Sequence, residues 1–277
     1  MCPSEIARAF FMAQAIIHIL SAFFDIIRLS KIYHAVGEYM ESIFLFSFII
    51  LVASILQTST GFGFSIIATP LLLLIFEPRE AIQINLVISL IISCALIYKI
   101  RHDVDLGIVK RFGWGSVFGL PVGTVIFLLI DVEVLTLIIS VTILLLTILL
   151  MMRFRLKQTN HRDYIAGGFS GAFTTSIGMP GPPILLYFSS TNTSKETLRA
   201  TTLAFYLFIY MISLIIQVVA AGTSKQIWIA SAWSLPLVVI GLITGQILFK
   251  RINQALFQKL TYGLLLFTGI YLLIEQL

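Results

Sequence analysis

The chain has 277 residues, of which 58% are hydrophobic and only 11% charged, with a formal net charge of +5. An ordinary soluble domain carries about a quarter charged residues, so a mean hydropathy of +1.02 excludes a soluble fold and points to an all-α polytopic membrane protein. The positive balance sits in connectors between apolar runs, as membrane topology requires, and argues against a nucleic-acid partner.

Residues 10–27 are apolar but interrupted by Gln14, His18 and Asp25. They read as an extra helix within an N-terminal extension, residues 1–42. Apolar stretches follow at 43–58, 62–76, 81–98, 112–130, 133–152, 164–188, 200–220, 227–248 and 255–274. Several approach the roughly 20 residues needed to cross a bilayer core. The longest connector, 153–163, is too short for a soluble domain, so a single integral-membrane domain is expected.

Two of these segments fail as simple spans. Residues 43–76 would make about 51 Å of helix, too long for one crossing and short for two. Thr58-Ser59-Thr60-Gly61-Phe62-Gly63 interrupts them. Residues 164–188 are interrupted by Gly178-Met179-Pro180-Gly181-Pro182-Pro183, and three prolines so placed cannot continue a helix. Both segments are expected to be two short half-helices meeting at a break.

The two halves of the chain are related. Pro78-Arg79-Glu80 pairs with Ser194-Lys195-Glu196, and Thr60 to Gly63 pairs with Thr175 to Gly178. Gly119 and Gly123 pair with Gly241 and Gly245, each in Gly-x-x-x-Gly spacing on an apolar run. Such glycines let helices pack closely in lipid. Matching features in one order indicate duplication, the usual plan of secondary transporters. The expected repeats are 43–158 and 159–277.

Charge decides their orientation. If each broken segment is a re-entrant hairpin followed by three spans, the second repeat is inverted. Loops 99–111, 153–163, 189–199 and 249–259 then share one side and hold 13 Lys and Arg, against 4 on the other. If 164–188 instead crosses once, the split becomes 9 against 8. The positive-inside rule favours inversion.

Broken backbone at membrane depth must be buried in protein or line a wet cavity. The first break offers Gln57, Thr58, Ser59, Thr60, Gly61 and Gly63; the second offers Thr174, Thr175, Ser176, Gly178, Pro180, Gly181 and Pro182. In each hairpin the second half-helix would begin at the tip, presenting N–H groups and a positive dipole end. Two such ends facing one centre favour an anion, with hydroxyls as neutral donors. Gln83 and Asn85, early in the next helix, could line the path, and are paired with Arg199 and Thr201. Arg199 reads chiefly as an interfacial anchor, with the pathway as its second reading. Gln217 and Gln246 read as hydrogen-bonding between helices.

The rest of the chemistry is sparse. Cys2 and Cys94 form no framework, and the histidines are scattered, so no metal, cofactor or catalytic set is expected. An intramembrane enzyme is therefore disfavoured. The alternative to a transporter is a membrane-embedded scaffold without substrate flux.

Gln57 to Phe64, Thr69-Pro70, Glu77 to Ala81, Gly167 to Gly171 and Gly178 to Pro183 together resemble the TauE/SafE family of sulfite and organosulfonate exporters. The resemblance runs from about residue 43 to the end. It implies a secondary transporter in a bacterial cytoplasmic membrane, carrying a small sulfur-containing anion such as sulfite or sulfoacetate. The implied partners are that anion and the lipid bilayer, with a homodimer left open.

Overall fold

The computed structural model describes residues 38–131, 159–189 and 193–251, with isolated helical positions at 134, 137, 141, 144, 145, 148, 266, 270 and 274. The expected helix over 10–27 lies outside the described residues, as do most of the runs 133–152 and 255–274. The chain divides into two compact units, residues 1–47 and 48–277, with the boundary inside the first helix. The packing that builds the site lies within the second.

Among the described residues the helices are, in chain order, α1 (Glu38–Thr60), α2 (Gly63–Leu72), α3 (Pro78–Ile100), α4 (Leu106–Leu129), α5 (Asn160–Ile177), α6 (Gly181–Ser189), α7 (Lys195–Ala221) and α8 (Lys225–Arg251). A 3-10 turn, Arg101–Asp103, follows α3, and no strand occurs among the described residues. The starts are locally encoded. Pro78 opens α3, where its missing N–H is harmless. The side chains of Asp105, Thr159 and Ser194 cap α4, α5 and α7 by accepting from Ile108, Arg162 and Thr197 N–H groups.

Among the described residues five helices are long and apolar enough to cross a membrane: α1, α3, α4, α7 and α8. Their exposed side chains are those of a lipid-facing surface, including Trp114, Phe118, Leu129, Val219 and Trp233. The interior is unusually polar. Gln57, Asn85, Ser89, Ser93, Thr174 and Gln217 are all buried. α3 is the most enclosed of the five and α8 the least.

The breaks fall where expected, but the arms are unequal. α1 has 23 residues and α5 has 18, or about 34 and 27 Å. α2 has 10 and α6 has 9, or about 15 Å or less. Each expected pair of short half-helices is thus one long arm and one short arm. The reason is local. The hydroxyls of Ser59 and Thr60 both donate to the Leu56 carbonyl, while Thr174 and Ser176 donate to the carbonyls of Ser170 and Ala172. These back-bonds keep the polar residues helical up to the glycine.

The glycine seams pack as expected. A Cβ on Gly119 would overlap Gly168 of α5, and one on Gly123 would overlap Ala172 and Thr175. A Cβ on Gly241 would overlap Ser54 of α1, and one on Gly245 would meet Thr58 at 2.6 Å. So α4 closes on α5, and α8 closes on α1. Gln217 adds a bond between helices, its Nε2 donating to the Thr175 carbonyl at 2.9 Å.

A carboxylate the sequence reading passed over anchors α5. Asp163 is fully buried, with Oδ2 2.5 Å from Arg111 Nε of α4. The Tyr187 hydroxyl of α6 donates to its other oxygen. Ser170 of α5 donates to the Pro180 carbonyl at 2.6 Å. The short arm α6 is therefore bonded back along α5 at two points.

Candidate functional site

At the first break the chain turns on Gly61, whose φ of +90° is a left-handed conformation that side chains with a Cβ resist. The Thr60 hydroxyl accepts from the N–H groups of Phe62 and Gly63, at 3.3 and 3.1 Å, and so starts α2. At the second break Gly178 has φ +71°. Its N–H donates to the Thr174 carbonyl, and the Met179 N–H donates to Phe173, a glycine helix stop of the Schellman kind. Pro182 and Pro183 then occupy the first turn of α6.

The two breaks meet. A Cβ on Gly181 would lie 3.5 Å from the Phe62 carbonyl oxygen and 3.4 Å from Ile66 of α2. It would also lie 3.1 Å from the Tyr206 hydroxyl of α7. Each glycine also abuts the long helix of the other half. Gly61 faces the backbone of Arg199 on α7, and Gly178 faces Ile82 and Asn85 on α3. Gly61 and Gly178 are 117 residues apart, as are Ile82 and Arg199. In these contacts Ile82 stands to Gly178 as Arg199 stands to Gly61, one residue away from the Gln83–Arg199 pairing expected from the sequence, and the same spacing sets Asn85 opposite Thr202. The physical reason is that Pro78 and Lys195, the first residues of α3 and α7, share the same 117-residue spacing.

Two polar spines flank the meeting point. On α3 it is Asn85, Ser89 and Ser93, one turn apart. Asn85 Nδ2 donates to the Gly178 carbonyl at 2.7 Å, and Ser89 donates to Asn85 Oδ1 at 3.3 Å. Gln57 Nε2 reaches the Ser89 carbonyl at 3.1 Å and Ser93 Oγ at 3.3 Å. A single network therefore runs from Gln57, before the first break, to Gly178 in the second. On α7 the same 117-residue spacing gives Thr202, Tyr206 and Tyr210. All three are buried. The Tyr206 and Tyr210 rings meet edge to face at 5.0 Å. The Tyr210 hydroxyl faces Ser65 and Ser89. Among the described residues the hydroxyls of Thr202, Tyr206 and Thr58 and Gln57 Oε1 are buried without a hydrogen-bond partner. Buried polar groups are normally satisfied, so this concentration makes the region the candidate site.

The expected site residues divide accordingly. Gln57, Gly61, Gly63, Gly178, Pro180, Gly181 and Pro182 lie at or beside the meeting point or its network, whereas Thr58 packs against Gly245 of α8. Ser59, Thr60, Thr174, Thr175 and Ser176 are also buried, but their hydroxyl protons go to carbonyls. The proton of Asn85 that faces the second break is likewise committed to Gly178. Gln83 belongs elsewhere, donating to the Gly222 carbonyl in the α7–α8 connector at 2.9 Å. The α6 tip has fewer donors than expected, because Pro182 and Pro183 carry no N–H.

Sequence reasoning passed over Ser65, Ser89, Thr202, Tyr206 and Tyr210, and read Arg199 chiefly as an interfacial anchor with the pathway as its second reading. Arg199 is in fact buried beside the first break, its guanidinium 4.3 Å over the Phe249 ring. The available signal was hydroxyl residues at turn spacing in two helices, matched at a constant offset.

A family model described as sulfite exporter TauE/SafE matches residues 46–272. No curated protein and no solved structure matches the chain.

Proposed function

The chain belongs to the sulfite exporter TauE/SafE family of multi-pass membrane transporters, and we propose that it carries a small sulfur oxyanion, sulfite, sulfoacetate or a related organosulfonate, by alternating access. The observation that carries this reading is the convergence of Gly181, the Phe62 carbonyl and the Tyr206 hydroxyl at one buried point between two broken helices. A sulfonate offers three acceptor oxygens. The donors at hand are the hydroxyl of Tyr206 beside Gly181 and that of Thr202 one turn before it on α7. Neutral donors hold an anion without trapping it, and a carrier must release what it binds.

The repeats are read as inverted, with boundaries near 43–158 and 159–277, and each pair of long and short arms as a re-entrant hairpin. Supporting this are the 117-residue register, the reciprocal closures of α4 on α5 and α8 on α1, and the folding back of α6 along α5. Movement of one repeat against the other would open the central point to each side in turn.

The test is flux. Purified protein in neutral-lipid proteoliposomes should move sulfite or sulfoacetate down a gradient faster than sulfate or acetate. Flux no greater than in empty liposomes for every anion would remove the transporter reading of this chain and favour a scaffold. Labelling a single cysteine in the 249–259 loop from outside whole cells tests the inversion: that loop should be protected.

A further inference from the structure

Arg199 is the one feature of the site region that the hydroxyl cradle leaves unused. It is the fifth residue of α7 and is only 5% exposed. Its Cα and Cγ lie 3.0 and 3.3 Å from the position of a Cβ on Gly61, so the side chain leaves α7 beside the first break. Its Cζ lies 4.3 Å from the centre of the Phe249 ring, which Lys195 Nζ also approaches at 4.9 Å. Nε and Nη2 are buried and have no hydrogen-bond partner. These two nitrogens form one edge of the guanidinium, the fork whose parallel N–H bonds match two oxygens of a single oxyanion. Neither ion pair found among the described residues includes Arg199. A buried cation left without an anion is strongly destabilising. The matching position in the other half is Ile82, against Gly178, so the charge belongs to one break only.

We propose that Arg199 is the charged anion station of the pathway, taking one oxyanion group edge-on beside Gly61 and setting the preference for sulfonate- or sulfite-like anions over spherical ones. The inference rests on the transporter reading above and assigns its charge-bearing residue. The station stands beside the neutral hydroxyl cradle rather than within it. An anion would engage a full positive charge at one break and neutral donors at the meeting point.

The experiment is an anion-dependent thermal shift of the full chain in phosphatidylcholine nanodiscs, titrated with sulfite, sulfoacetate and chloride. Wild type, Arg199→Gln and Arg199→Lys are compared, each checked for monodispersity and helical content. Loss of a bidentate charged contact should weaken sulfoacetate binding about tenfold or more in Arg199→Gln. Arg199→Lys keeps the charge but not the fork, so it should lose the preference over chloride while retaining weak binding. Equal affinity in wild type and Arg199→Gln overturns the proposal and leaves the transporter reading standing. If Arg199→Gln does not fold, Arg199→Lys decides, and an unchanged sulfoacetate-to-chloride preference overturns the proposal. No shift of the wild type with any anion overturns both. Repeating the titration with phosphatidylglycerol separates a lipid phosphate from a free anion. Arg199-dependent stabilisation by that lipid but not by soluble anions would also overturn the proposal.

Discussion

Asn85 donates its side-chain amide to the carbonyl oxygen of Gly178, 2.7 Å away and 93 residues later in the chain. The bond joins α3 to the break between α5 and α6, and it extends through Ser89 to Gln57 at the other break. Both groups are shielded from water. Asn85→Ala should therefore lose more than an average hydrogen bond, about 1–3 kcal/mol, because the Gly178 carbonyl is left unpaired. Denaturant unfolding of the purified variant measures this. Stability equal to wild type would mean that the link is dispensable.

The glycine seams predict a graded series. A Cβ on Gly123 collides with the Ala172 carbonyl and Thr175, and one on Gly245 meets Thr58 and Ile55 within 2.7 Å. Backbone cannot yield as a flexible side chain can, so Gly123→Ala and Gly245→Ala should each be destabilised by about 1–3 kcal/mol. Gly168→Ala is the control, since its nearest neighbour would lie 3.5 Å off. Melting temperatures should fall for the first two and hold for the third.

The breaks themselves can be tested with Gly63→Val and Gly178→Val, which should abolish transport while protein still reaches the membrane. Gly63 has no room, with Leu56 Cβ 2.7 Å from its missing Cβ. Gly178 combines a left-handed φ with Asn85 Nδ2 at 2.8 Å. Gly222 separates the two effects, because its φ is +79° but nothing lies within 4 Å of the missing Cβ. Gly222→Ala should transport normally despite its backbone strain. Unimpaired flux in both valine variants would dissociate the breaks from transport.

How far the sequence foretold this depends on the kind of signal. The broken runs at 57–63 and 178–183 were legible because glycine and clustered proline have backbone consequences that no tertiary contact can reverse. The glycine seams were legible for the same reason. The unequal arms were not, because Ser and Thr can either end a helix or bond back along it, and only the folded chain decides. Tyr206 and Tyr210 were hidden among aromatic residues of an apolar run, where a tyrosine normally reads as packing. Asp163 was hidden in a charged connector, and its burial depends on Arg111 from a different helix. The burial of Arg199 was hidden because closeness to a helix end suggests snorkelling. The Phe249 ring that holds it lies 50 residues further on.

Tyr206 gives the sharpest test of the site, because stability and function should move in opposite directions. Its hydroxyl is fully buried beside Gly181 and has no partner. If the hydroxyl served only the fold, removing it would cost a hydrogen bond, but there is none to lose. Tyr206→Phe keeps the ring and its contacts with Phe205 and Tyr210. The substitution should leave unfolding unchanged or raise stability by about 1 kcal/mol, since an unsatisfied buried donor is removed. Transport should nevertheless fall about tenfold, the worth of one hydrogen bond to a charged ligand. Parallel measurement of unfolding and of sulfite or sulfoacetate flux checks both signs. A variant that melts earlier and transports normally would show that the hydroxyl belongs to the packing, and the meeting point of the two breaks would then have no ligand to explain its unpaired groups.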